Sequence, residues 1–114
     1  MSFSPVYQRF VSKDESYEDF GVYMQPLTIQ SNHKLSNEEV NKVVRIYARY
    51  LDASDDYVRA DGRFCKEFNV TPALATDEQK MSSTYQALVL RSKERTESFN
   101  NIQALKNRGI YIRT

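Results

Sequence analysis

The spacing of apolar residues changes along the chain and predicts a different structure for each part. From residue 76 to 108, apolar side chains recur every three or four residues, as on one face of a helix. They form two groups: Met81, Tyr85, Leu88 and Val89, and then Phe99, Ile102 and Leu105. Residues 91–98, between the groups, are all polar and include neither Gly nor Pro. We therefore predict one long helix over 76–108, with a break near Ser92 as the alternative.

Capping boxes predict where two of the helices begin. In this motif a hydroxyl residue and a Glu or Gln three positions later each bond to the other's backbone amide. Ser36 with Glu39 fits the motif, as does Thr76 with Gln79. Apolar residues at helical spacing follow Ser36, so we predict a helix over 37–51.

A further helix is predicted over 55–68. Ser54 supplies a hydroxyl cap, and Asp55 and Asp56 place acids in the first turn, where they interact favourably with the helix dipole. The predicted buried face of this helix consists of Tyr57, Val58, Phe64, Cys65 and Phe68. Polar and acidic residues at alternate positions, here Asp52, Ser54 and Asp56, also begin a calcium-binding loop. The central Gly and the closing Glu of such a loop are missing, because Tyr57 and Arg63 occupy those positions.

The first 35 residues have no helical period and are punctuated by Pro and Gly, so we predict an extended N-terminal arm over 1–35. Short strands are predicted at Phe20–Met24 and Leu27–Gln30. At the other end, Gly109 is placed to end the long helix. Residues 110–112 then predict a strand-like tip that could pair with the arm in an element of two or three strands.

The predicted fold class is therefore mainly α: three helices including one long C-terminal helix, with an extended N-terminal arm and a short strand-like C-terminal tip. A chain of 114 residues has room for one compact core. We assign residues 1–35 to the arm and residues 36–114 to a helical domain.

Charge and composition narrow the classes of function. Lys and Arg total 16 and Asp and Glu total 15, so a net charge of +1 provides no overall attraction for nucleic acid or a membrane. The N-terminal sequence has no signal-peptide pattern, and no stretch is apolar enough to span a bilayer. A single Cys cannot form an internal disulfide. We expect a soluble protein of the cytoplasm, either of its own cell or of a host cell.

The sequence has no pattern typical of an active site. It lacks a Gly-rich phosphate loop, a Ser, His and Asp in catalytic order, and paired catalytic carboxylates. One His and one Cys cannot form a zinc site within one chain. We expect no enzymatic activity, no cofactor and no bound metal.

Two sets of residues are candidates for binding a protein partner. The first, called the basic face, consists of Lys42, Arg45 and Arg49 at helical spacing with Ile46 beside them; a solvated helix surface is the alternative explanation. The second set lies beyond the polar stretch of the long helix and consists of Phe99, Ile102 and Leu105. We expect these three apolar side chains to pack against either the N-terminal arm or, as we favour, another copy of the chain.

Around residues 61–81 the chain resembles the centre of a helix-turn-helix unit. Cys65, Asn69, Val70 and Thr71 match its small residue, turn, apolar residue and hydroxyl residue. The resemblance covers about a dozen residues and implies that Thr71, Thr76 and Lys80 contact nucleic acid, although two neighbouring acids would face the phosphates. A short turn over 69–75 is the alternative.

We therefore expect a small non-catalytic protein-protein interaction or assembly factor, for which we consider a viral or phage accessory role. The expected partner is another protein or a second copy of the chain. A small DNA-binding regulator is the alternative function, and binding to a membrane is not expected.

Overall fold

The structure is a computed structural model that describes residues 5–12 and 24–113. In chain order its elements are β1 (Val6–Ser12), β2 (Met24–Ser31), α1 (Asn37–Phe68), a 3₁₀ turn (Pro72–Leu74), α2 (Asp77–Lys80), α3 (Ser83–Asn107) and β3 (Ile110–Arg113). The described part of the chain is mainly α, with three α-helices that include a long C-terminal one, and it has a C-terminal strand, as the sequence predicts.

The first long helix is continuous where the sequence predicted a break. Residues 37–51 and 55–68 belong to the single helix α1, and Ser54 lies inside it instead of capping its second half. The Ser54 hydroxyl oxygen is buried and has no hydrogen-bond partner. A Ser and two Asp disfavour a helix interior by only about 0.5 kcal/mol each, and no Gly or Pro interrupts the chain at this point, so the helix continues.

The second long helix is broken, but not at the polar stretch. The capping box of Thr76 and Gln79 forms as predicted, with amide-to-side-chain distances of 2.9 and 3.2 Å. The helix that it starts ends at Lys80, and Ser82 begins α3 by accepting a hydrogen bond from the Tyr85 amide at 3.1 Å. Residues 91–98 lie within α3 without a break. The predicted helix over 76–108 is therefore two helices, because Ser82 supplies a second cap six residues after the first.

The three strands form one antiparallel sheet in the order β1-β2-β3. Val6 is opposite Gln30 at one end of the β1–β2 ladder, and Ile112 is opposite Ile29 in the β2–β3 ladder. The predicted pairing of the C-terminal tip with the arm is thus confirmed. The predicted strand Leu27–Gln30 lies in β2, whereas the one at Phe20–Met24 lies outside the described residues except for its last residue.

By internal contacts, the chain divides into two compact units. Unit 1 comprises Met1–Asp52 and Ser98–Thr114, and unit 2 comprises Ala53–Glu97. The predicted division into 1–35 and 36–114 follows the change from strands to helices, so it does not coincide with the boundaries of these units.

The core of unit 1 forms between the sheet and the helix segments of this unit. Its buried side chains are Val11, Leu27, Ile29, Leu35, Val40, Val43, Leu105 and Ile110. Leu27 and Ile29 are two residues apart and therefore lie on the same face of β2. The Tyr7 hydroxyl accepts a hydrogen bond from the Leu35 amide at 2.8 Å and donates one to the Leu35 carbonyl at 3.3 Å, which connects β1 to the residues before α1.

The core of unit 2 is smaller and aromatic. Phe64 is fully buried, and its ring lies 5.0 Å from that of Phe68 and 5.6 Å from that of Tyr85, measured between centroids. Leu88 is buried in the same cluster. Tyr85 and Leu88 therefore pack against the part of α1 that contains Phe64.

Some residues predicted to be buried in unit 2 are exposed. Val58, Met81 and Val89 are 65%, 82% and 50% exposed, respectively. On a helix, Val58 lies about 120° around the axis from Phe64, so the face that buries Phe64 turns Val58 outward. Met81 lies between α2 and α3, where the break removes it from the predicted helix face.

Candidate partner-binding site

Four of the predicted partner-binding residues line one groove. The groove has a volume of about 220 Å³ and is lined by Lys42, Arg45, Ile46, Arg49 and Asn101. We call it the basic groove. All five residues belong to unit 1, the first four on α1 and Asn101 on α3.

The helical period of α1 explains why the three cations lie together. Residues 42, 45 and 49 fall within a sector of about 60° around the helix axis and span about 10 Å along it. Val40 lies about 180° from Arg49 and is fully buried in the core of unit 1, so the packing of the helix directs the cations outward. Ile46 is half-buried and lies beside the cations on the surface of the helix, about 40° around the axis from Lys42.

The start of α1 is fixed by the predicted capping box. The Glu39 amide donates to the Ser36 hydroxyl at 3.1 Å, and the Ser36 amide donates to the Glu39 carboxylate at 3.3 Å. The pKa of Glu39 is held below its usual value mainly by the hydrogen bond from the Ser36 backbone amide and, to a smaller extent, by one with the Ser36 side chain. Both interactions favour the charged carboxylate. The capping box therefore fixes where α1 begins, about one to three turns before the cations.

The basic groove has a strongly positive lining. Among the described residues that line it, three are cations and none is an acid. On α1, Glu38 precedes the cations by one turn and Asp52 follows Arg49 by three residues. The positive charge is therefore confined to a short row with acids beyond both ends.

The second predicted partner-binding set is mostly buried within the chain. Leu105 is 3% and Ile102 9% exposed, and Leu105 belongs to the core that includes residues of the strands. Phe99 is 45% exposed, and its ring centroid lies 6.0 Å from that of Tyr50. A partner contact by this set stays a prediction, and of its three members Phe99 is the accessible one. Phe99 and Asn101 project about 160° apart around α3, so Phe99 is not part of the basic groove.

The segment that resembles a helix-turn-helix contains short elements. Asn69 adopts a left-handed conformation with φ 55°, and a single 3₁₀ turn and the four residues of α2 follow it. Thr71, Thr76 and Lys80 are exposed, and the Thr76 hydroxyl accepts the Gln79 amide. No long helix therefore starts between residues 71 and 81, and the first long helix after the turn is α3.

Unit 2 has a separate groove that the sequence did not predict. It has a volume of about 400 Å³ and is lined by Tyr57, Pro72, Tyr85, Leu88, Val89, Ser92 and Lys93. The guanidinium carbon of Arg95 lies 5.1 Å from the centre of the Tyr57 ring, within the range of a cation–π contact. The apolar spacing of Tyr85, Leu88 and Val89 was visible in the sequence, but which of them stay accessible depends on packing.

Within residues 5–12 and 24–113, no three His, Cys, Asp or Glu side chains are grouped so as to hold a metal ion. In the same part of the chain, no helix combines the length and the apolar character needed to cross a membrane. Comparisons with models of protein families, with curated proteins and with solved structures found no match to this chain.

Proposed function

We propose that this protein is a small non-catalytic interaction or assembly factor that binds a partner protein through the basic groove. The observation that carries the proposal is the convergence of Lys42, Arg45 and Arg49 with the half-buried Ile46 in one concave surface. A concave surface with an apolar part and a few polar groups is typical of a recognition site. The described lining of the groove contains no acid, Ser, Thr, Cys or His.

The groove is small, so we expect the complex to be weak or to extend onto the neighbouring surface. Specific stable interfaces bury about 1,200–2,000 Å² in total. Exposed salt bridges contribute roughly 0.2–1 kcal/mol each, which gives specificity more readily than high affinity. We therefore describe the groove as the specificity-determining part of a larger contact.

Site-specific photo-crosslinking tests this function. A photoreactive phenylalanine analogue replaces Asn101 in the groove or, as a control, the exposed Lys66 on α1, in cells that make the protein. We expect discrete cross-linked protein products from position 101, and their loss when Arg45 and Arg49 are both replaced by Glu. Equal products from both positions, or products that persist in the Arg45→Glu/Arg49→Glu variant, would contradict the proposal.

A second copy of the chain is an alternative partner, for which Phe99 is the accessible candidate. Sedimentation of the wild-type protein and of a Phe99→Ser variant tests it. We expect the variant to have a lower apparent mass with an unchanged helical signal if α3 pairs with its copy. A wild-type protein that sediments as a monomer at high concentration would exclude this partner.

DNA binding is a second candidate function, because three exposed cations can also contact phosphates. The exposed acids Asp77 and Glu78 lie beside Thr76 and Lys80, so this end of the predicted contact would repel the duplex. Gel shifts with random duplex at low salt provide the test. Binding that weakens steeply with added salt would support the candidate, and no shift would exclude it.

A further inference from the structure

We propose that the occupant of the basic groove is a short acidic segment of the partner protein, with carboxylates on both sides of one apolar side chain. The inference rests on the proposed function, because it names the chemistry of what binds in the same groove. The cations, the half-buried Ile46 and the acids beyond the groove support it in turn.

The charge of the groove selects an anion. Arg45 and Arg49 are exposed and can each pair with a carboxylate through two parallel N–H donors, while Lys42 offers a single charged amine. Their positions on α1 are about 4.5 and 6 Å apart along the axis. Side chains on alternate residues of an extended segment point to the same face and are about 6.6 Å apart, so a carboxylate, an apolar side chain and a second carboxylate at successive alternate positions span about 13 Å, which is close to the length of the cation row.

The apolar part of the groove favours an apolar side chain at the centre of the bound segment. Ile46 lies about 40–60° around the helix axis from Lys42 and Arg49, and its side chain is half-buried in the lining. An aliphatic side chain placed on Ile46 loses contact with water, which charged residues on the partner could not achieve. The Asn101 side-chain amide, which also lines the groove, can donate a hydrogen bond to the backbone of the bound segment and accept one from it.

The extent of the positive charge favours a peptide over nucleic acid. The cations span about 10 Å along α1, and Glu38 and Asp52 place negative charge beyond both ends. A nucleic-acid strand carries a phosphate about every 3.4 Å, so a bound strand would continue past the cations toward these acids. With a net charge of +1, the whole chain adds no attraction to offset this repulsion. A short acidic segment can end where the cations end.

Fluorescence anisotropy with defined probes tests the inference. The probes are a labelled peptide with Glu residues on both sides of one Leu, the same peptide with Gln for every Glu, the same peptide with Ser for Leu, and a labelled single-stranded DNA. The groove variants are Arg45→Glu/Arg49→Glu and the milder Arg45→Gln/Arg49→Gln. The control is Arg63→Glu/Lys66→Glu, which changes the net charge by the same amount at exposed positions of the same helix. Circular dichroism verifies that each variant is folded.

We expect the Glu and Leu peptide to bind most tightly, and the loss of either Glu or Leu to weaken it about fivefold or more. The Arg45→Glu/Arg49→Glu variant should lose about tenfold in affinity, the Gln variant less, and the control variant should resemble the wild type. Equal effects of the groove and control variants would overturn the inference, since general charge would then explain binding.

Two further outcomes separate this inference from the proposed function. If DNA binds the groove more tightly than the acidic peptide, the inference is wrong and the nucleic-acid candidate gains support. If no probe binds although position 101 cross-links to a partner in a manner that depends on Arg45 and Arg49, the groove binds a protein of different chemistry. In that case the inference fails and the proposed function stands.

Discussion

The two compact units differ in how completely they bury their apolar residues. Among the described residues, the core of unit 1 contains eight buried apolar side chains, whereas that of unit 2 contains three. Unit 2 also has five large apolar residues with half or more of their surface exposed: Val58, Leu74, Met81, Val89 and Leu90. Because apolar burial is the main favourable contribution to folding, we expect unit 2 to open more readily than unit 1.

This difference also separates the two grooves. The basic groove is lined by residues of the unit with the larger core, so its cations are held on a stable helix segment. The groove of unit 2 is lined by residues near the smaller core, so its shape depends on few contacts. A rigid arrangement reduces the entropy lost on binding, which makes the basic groove the better candidate for specific recognition.

The largest effect is expected from Phe64→Ala, which tests whether the two units open separately. Phe64 is fully buried and contacts two other aromatic rings, so its loss should reduce stability by about 3–5 kcal/mol. Hydrogen exchange should accelerate in unit 2, especially in residues 57–68 and 83–90, with less change in β2 and β3. The matched variant Ile29→Ala should show the reverse order. Equal acceleration of both units by Phe64→Ala would show that they open as one.

The sequence predicts features that depend on neighbouring residues better than it predicts where the long helices continue or break. Both capping boxes were predictable because they depend on residues three positions apart, and the C-terminal strand was predictable from Gly109 and the apolar residues after it. The continuity of α1 through Ser54 was not, because Ser and Asp favour helix starts over helix interiors, and only the small size of that preference lets the helix continue through them. The break at Met81 was missed because the apolar spacing runs across it.

The candidate site was predictable in part. The basic face is a property of one helix and can be found from the spacing of Lys42, Arg45 and Arg49. Asn101 comes from another helix, and nothing in its local sequence indicates that it lines the same groove as Ile46. Similarly, the burial of Ile102 and Leu105 depends on packing within unit 1, which the local sequence does not specify.

A smaller loss is expected from Gly109→Ala, which affects unit 1 where β3 begins. Gly109 has φ 81°, a left-handed conformation that costs a residue with a Cβ atom about 1–2 kcal/mol. The added Cβ would also collide with the Asn32 side chain. We expect a loss of about 1–2 kcal/mol or more in denaturant unfolding, with faster exchange in β3. The double variant Asn32→Ala/Gly109→Ala removes the collision but not the conformational cost, so it should recover only part of the stability.

A gain is expected from Gly62→Ala in the unit with the smaller core. Gly62 lies inside α1 and is exposed, and no atom lies within 4 Å of an added Cβ. Alanine should therefore stabilise the helix by about 0.5–1 kcal/mol by restricting the unfolded chain. The measurement is the denaturant midpoint, with the exposed Ala87→Gly in α3 as the opposite control. No gain in the midpoint would indicate that residues 53–68 do not limit the stability of the protein.

The smallest effect concerns the pH dependence of unit 1 through Glu39. Hydrogen bonds from Ser36 lower the pKa of Glu39 in the folded state, so the folded protein holds this proton less tightly than the unfolded chain does. The resulting stabilisation is present above the unfolded pKa of about 4.3 and is lost as the pH falls through the lower folded value. We expect Glu39→Gln to reduce stability at neutral pH and to flatten the decline below about pH 5, so that the two proteins converge at acidic pH. Glutamine at position 39 can still accept the Ser36 amide, as Gln79 accepts that of Thr76, so Glu39→Gln removes only the charge from this bond. Glu38→Gln removes a charge of the same turn that takes no part in the capping box, and it should have a smaller effect at neutral pH. If both variants follow the same curve, helix-dipole attraction for acids, and not the capping box, explains the contribution.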